Sequence, residues 1–105
     1  MTGKFRAYVG DPDFHDGMVK QVRSELTEVC VQITGYSGAV YLVRFTGVES
    51  VVSHSPEGML LYALCEMEAE MPLRRFQFAN SYKPAEEGGD SRLEVSARTF
   101  SVEKM

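Results

Sequence analysis

Apolar and polar residues alternate one by one in four stretches of this chain, 28–34, 40–46, 73–79 and 92–102. A backbone that points successive side chains to opposite faces produces this period of two, whereas a helix repeats about every 3.6 residues, so these stretches read as strands. Val29, Val31 and Ile33 share one face, as do Tyr41, Val43 and Phe45, and Gly35-Tyr36-Ser37-Gly38 between them predicts a hairpin. Phe76 and Phe78 face inward in the third run. The fourth begins with Leu93, Val95 and Ala97 inward and ends with Phe100 and Val102 inward. That change of parity requires a bulge or bend near Arg98 and Thr99. A weaker pattern over Gly17–Glu25, with Met18 or Val19, Val22 and Leu26 as apolar positions, adds a strand. Val31, Ile33, Val43, Phe45, Phe76, Phe78 and Val95 are the expected core.

Ser55–Met71 carries two conflicting signals. Ser55-Pro56-Glu57 is a helix start, and Leu60, Leu64, Met67 and Met71 would form a helical stripe. Leu61, Ala63, Cys65, Met67, Ala69 and Met71 also alternate with Tyr62, Leu64, Glu66, Glu68 and Glu70, and this strand period is the better match. The expected fold is mainly β, or α+β with one short helix: a single antiparallel sheet, sandwich or partly open barrel of about six or seven strands.

At 105 residues, with 44% hydrophobic and 25% charged, the chain is sized for one domain and one core. Residues 80–91, with Lys83-Pro84 and Gly88-Gly89-Asp90, predict a flexible loop. A net charge of -4 argues against nucleic acid and anionic membranes as partners. The longest apolar run, Met59–Cys65, falls far short of the roughly 20 residues of a membrane span. Met1–Gly10 lacks the continuous apolar stretch of a secretory signal, so a cytoplasmic setting is expected. Cys30 and Cys65 lie far apart without a CxxC, and each reads as a small buried hydrophobe.

Asp11, Asp13, His15 and Asp16 gather three carboxylates and an imidazole, ligand types able to hold a divalent cation or exchange protons. Calcium-loop spacing fails at His15, Gly17 and Val22. Turn chemistry explains the same residues: Asp11-Pro12-Asp13 as a turn, and Asp16-Gly17 as the corner entering a strand. His54, within Ser53-His54-Ser55-Pro56, reads as a polar turn residue, because a nucleophilic serine needs a nearby base, an orienting acid and an oxyanion hole. Under the strand reading Glu66, Glu68 and Glu70 project from one face about 7 Å apart. This acidic stripe either pairs with arginines of neighbouring strands or docks a basic partner.

Phe14-His15-Asp16-Gly17 before a strand, Phe45-Thr46-Gly47-Val48 after the hairpin, and the runs Arg75-Phe76-Gln77-Phe78 and Leu93-Glu94-Val95-Ser96-Ala97 are the segments that carry a resemblance. In their order the chain is similar to small, uncharacterised bacterial β-rich domains, some of which look like immunity proteins of toxin systems. The resemblance spans most of the chain after Asp13 and implies a bacterial cytoplasmic setting, with no catalytic residues to carry over. The expected function is a noncatalytic binding or regulatory domain without a cofactor, in its sharpest form an immunity-like inhibitor of a protein partner. Two rivals are a small metal-dependent enzyme using Asp11, Asp13, His15 and Asp16, and a homodimeric structural subunit.

Overall fold

The computed structural model describes residues 5–80 and 92–105, with the backbone alone described at Asn80. Nine strands are present among them: β1 (Phe5–Tyr8), β2 (Met18–Glu25), β3 (Glu28–Thr34), β4 (Val40–Thr46), β5 (Ser50–His54), β6 (Leu61–Met67), β7 (Arg74–Asn80), β8 (Arg92–Ala97) and β9 (Thr99–Lys104). All pairings are antiparallel, in a five-stranded sheet of order β1-β6-β7-β8-β5 and a four-stranded sheet of order β2-β3-β4-β9. Among the described residues the only helical element is one 3-10 turn, Pro12–Phe14, so no α-helix forms over Ser55–Met71.

The mainly β, antiparallel expectation holds; of the single sheet, sandwich or partly open barrel of about six or seven strands that the sequence allowed, the structure has two sheets and nine strands among the described residues. β1 and β5 are short edge strands with no fully buried side chain, so neither leaves a clear hydrophobic period in the sequence. His54 accordingly closes a strand opposite Arg92 instead of standing in a turn. The parity break at Arg98 marks where the chain changes sheet: β8 pairs with β7 and β5, and β9 pairs with β4. Arg98 donates its backbone N–H to the carbonyls of Thr46 and Gly47 at that corner. At another corner Val19 donates to Met59 and Gly58 to Val19, which ties β2 to the approach to β6.

The sheets face each other across one core. Val29, Val31, Ile33, Val43 and Phe45 meet Leu61, Leu64, Phe76, Phe78, Leu93 and Val95, all essentially inaccessible to solvent. Phe45 spans the two layers, with ring centroids 5.0 Å from Phe76 and 5.9 Å from Phe78, and Phe100 stacks beside it at 6.1 Å. Two apolar positions of the sequence reading are not core: Leu26 lies in the β2–β3 turn in full solvent, and Val102, opposite Val43 on edge strand β9, is 37% exposed. The loop expected over 80–91 lies outside the described residues except for Asn80, which ends β7.

Because Phe45 contributes to both halves of the core, Phe45→Ala is expected to cost about 3–5 kcal/mol. Val102→Ala, on a partly solvated edge, should stay within about 0.5 kcal/mol of the wild type. Denaturant melts of the two variants measure this, and equal midpoints would contradict the assigned core.

Candidate functional site

The link between β1 and β2 folds into a compact clasp. Asp11 takes an extended conformation and its Oδ1 accepts the Asp13 N–H at 2.8 Å, capping the 3-10 turn, while Pro12 needs no N–H partner there. Phe14 is driven into the end of the sandwich, where its ring meets Tyr41 edge-on at 5.2 Å. Asp13 turns toward the β3–β4 loop and accepts three hydrogen bonds, from Ser37 N at 3.0 Å, Ser37 Oγ at 2.6 Å and the Tyr41 hydroxyl at 3.0 Å. Gly35 is required beside it, because a Cβ there would collide with the Asp13 carboxylate. Asp16 adopts a left-handed φ of 67°, which Asp tolerates better than most residues, and donates its N–H to Leu61 O at 2.8 Å.

The clasp forms one wall of a cleft of about 340 Å³, and β6 and β1 form the others. In β6 the register shifts between Leu61 and Ala63, so Leu61 and Leu64 both point inward while Tyr62 points out. Tyr62 stands nearly perpendicular to two neighbours, His15 at 5.2 Å and 79°, and Tyr8 at 6.2 Å and 66°. His15 Nδ1 lies 3.3 Å from Tyr62 O, and its Nε2 lies 3.7 Å from Asp16 Oδ2. Phe5 packs on Tyr8 at 4.8 Å and extends the aromatic surface. The hydrogen bond with Tyr62 is the main cause that raises the Tyr8 phenol above its ordinary value.

The four residues of the metal reading sit side by side in the chain but spend their donors in different directions. Asp11 caps its own turn, Asp13 holds the hairpin loop, and His15 leans on Tyr62. No group of three His, Cys, Asp or Glu side chains able to hold a metal ion occurs among the described residues. Asp11 and His15 line the cleft nevertheless, as walls.

The acidic stripe is corrected as well. The same register shift turns Glu66 inward opposite Phe76, leaving it 6% exposed, while Glu68 and Glu70 follow the end of β6 in solvent. Glu66 takes two hydrogen bonds from Arg74, each 2.9 Å, and they hold its carboxyl below the usual range. The Arg74 guanidinium lies 5.3 Å from the ring centres of both Phe76 and Phe100, completing a partly buried ion pair that serves the fold. Of the two thiols, Cys65 is buried, which pushes its pKa up, and Cys30 is half-buried on the other sheet with Sγ 3.8 Å from Glu28 Oε2.

Tyr8 and Tyr62 were not singled out by the sequence. Tyr62 falls on the face shared with Leu64 in a bulge-free strand, and only the shifted register separates the two. Comparison with protein-family models, curated proteins and solved structures finds no match.

Hydrogen bonds from Ser37 hold the Asp13 carboxyl below its ordinary range, and burial together with the Asp13 bond pushes the Tyr41 phenol up to about 12. A depressed carboxylate stabilises the fold above its unfolded pKa near 4, and this contribution is lost as pH falls through the folded value. A raised phenol stabilises fully below about pH 10, and its share is lost between about pH 10 and 12. Asp13→Asn should therefore melt below the wild type at pH 7, with the gap closing below about pH 4, and Tyr41→Phe should flatten the alkaline limb. Melting followed by circular dichroism across this pH range is the check; a gap independent of pH would show that the Asp13 charge has no part in the clasp.

Proposed function

We propose that this chain is a noncatalytic binding domain, bacterial and cytoplasmic, that holds a protein partner at the cleft of Tyr8, His15 and Tyr62. One observation carries the reading: Phe5, Tyr8 and Tyr62 stand 51%, 59% and 46% exposed yet form a continuous aromatic surface at the cleft. Clustered exposed aromatics hold apolar surface in water at an unfavourable free energy that contact with a partner relieves, and tyrosine is enriched among residues that dominate protein interfaces. An immunity-like inhibitor is the sharpest form of this function. It uses the fixed cleft in place of the acidic stripe as its contact, since Glu66 is occupied by Arg74. The negative net charge gives no electrostatic attraction to nucleic acid or anionic membranes.

β1 is also a sheet edge carrying Phe5 and Tyr8, which favours homodimer formation as the second reading. Affinity capture from the source cytoplasm with wild type, Tyr8→Ser and Tyr62→Ser baits, combined with sedimentation of the pure protein, separates the two. The expected result is a monomer and a defined partner retained by the wild type and lost by at least tenfold in both variants, in line with hot-spot losses of roughly 1.4 kcal/mol or more. Equal recovery by all three baits would remove the cleft from the function, and a wild-type dimer dissociated by both substitutions would establish the second reading instead.

A further inference from the structure

The cleft has a chemical character narrower than that of an apolar docking groove. Its rings do not lie in one plane: Tyr62 meets His15 at 79° and Tyr8 at 66°, so three π systems bound the space from different directions. Each tyrosine ring presents negative potential at its face, and together such faces attract a cation placed among them. Asp11 adds a carboxylate to the lining, and Asp16, outside the lining, lies 3.7 Å from the His15 ring. Asp11 commits Oδ1 to the Asp13 N–H, which fixes the orientation of its carboxylate. No lysine or arginine belongs to the cleft among the described residues, and His15 is the one basic side chain in its lining. The floor at Ala63 and Leu64 is apolar and suits the methylene stem of a long side chain.

Resting on the reading of this cleft as the partner site, we infer that its occupant is an arginine side chain projecting from the partner protein. A guanidinium can stack flat on one tyrosine while its edge donates to a carboxylate, and it is more weakly hydrated than an ammonium. Volume agrees with this occupant: a cleft of about 340 Å³ holds one extended side chain and is too small for a folded segment. The preformed walls lower the ordering cost, because His15 and Asp16 are positioned by backbone hydrogen bonds to the rest of the clasp and to β6.

Two-dimensional amide NMR with a blocked Gly-Arg-Gly tripeptide tests the inference on the intact chain, against the same tripeptide carrying citrulline, which keeps the shape and removes the charge. Arginine should bind at least about fivefold more tightly than citrulline, with shifts confined to the signals of β1, β6 and the 11–17 clasp. Tyr62→Leu removes the ring while keeping apolar bulk, and Asp11→Asn removes the charge while keeping a capping group. Each should lower arginine affinity by about fivefold, with wild-type dispersion of the remaining signals showing that the fold is kept. Equal binding of the two tripeptides, or no binding of either at millimolar concentration, would overturn the inference. Partner capture that still depends on Tyr62 would in that case leave the docking reading intact; arginine selectivity alongside capture indifferent to Tyr62 would do the reverse.

Discussion

The Asp13 carboxylate is the point on which this architecture turns. It sits where the link between β1 and β2 meets the loop between β3 and β4, and it accepts three hydrogen bonds from Ser37 and Tyr41. Those bonds fasten the link to the four-stranded sheet. The same link donates from Asp16 to Leu61, which fastens it to the five-stranded sheet. Phe14, between the two attachments, fills the end of the core against Tyr41. A six-residue segment therefore closes the sandwich at this end and presents Asp11 and His15 to the cleft. A carboxylate surrounded by donors is stabilised in its charged form, so its lowered pKa and its attachment to Ser37 and Tyr41 have one cause.

The second constraint is the register shift in β6. A regular strand through Leu61–Met67 would put Tyr62, Leu64 and Glu66 on one face, and that face could be either core or solvent but not both. Shifting the register after Leu61 sends Leu64 into the core and Tyr62 into the cleft. Glu66 follows Leu64 inward. Its charge is tolerated because Arg74 meets it with two bonds and spreads over Phe76 and Phe100. One backbone irregularity thus creates the candidate site and the internal ion pair together.

Much of the fold was legible in residues whose period the core enforces. Val29, Val31 and Ile33, then Tyr41, Val43 and Phe45, form the hairpin their alternation announces, and the parity change at Arg98 marks the crossing between sheets. β1 and β5 were not legible, because an edge strand with solvent on most sides needs no hydrophobic period. Asp11, Asp13 and Asp16 read correctly as turn residues, since capping and left-handed φ are local chemistry. Their joint action with Ser37 and Tyr41 is a long-range contact that no local pattern encodes. The acidic stripe failed for the opposite reason: period-two reasoning assumes an unbroken strand, but Glu66 follows the shifted register at Leu61–Ala63, and Glu68 and Glu70 lie beyond the end of β6 at Met67.

The Asp13 clasp places His15 against Tyr62 and so builds the wall of the cleft. Nuclear Overhauser spectra of the aromatic protons measure this directly. The wild type should give contacts from the Tyr62 ring to both His15 and Tyr8, whose centroids lie 5.2 and 6.2 Å away. In Asp13→Ala the His15–Tyr62 contact should vanish while Tyr8–Tyr62, held by the β1–β6 pairing, persists. Survival of the His15–Tyr62 contact in that variant, or its absence from the wild type, would show that the Asp13 clasp does not position His15.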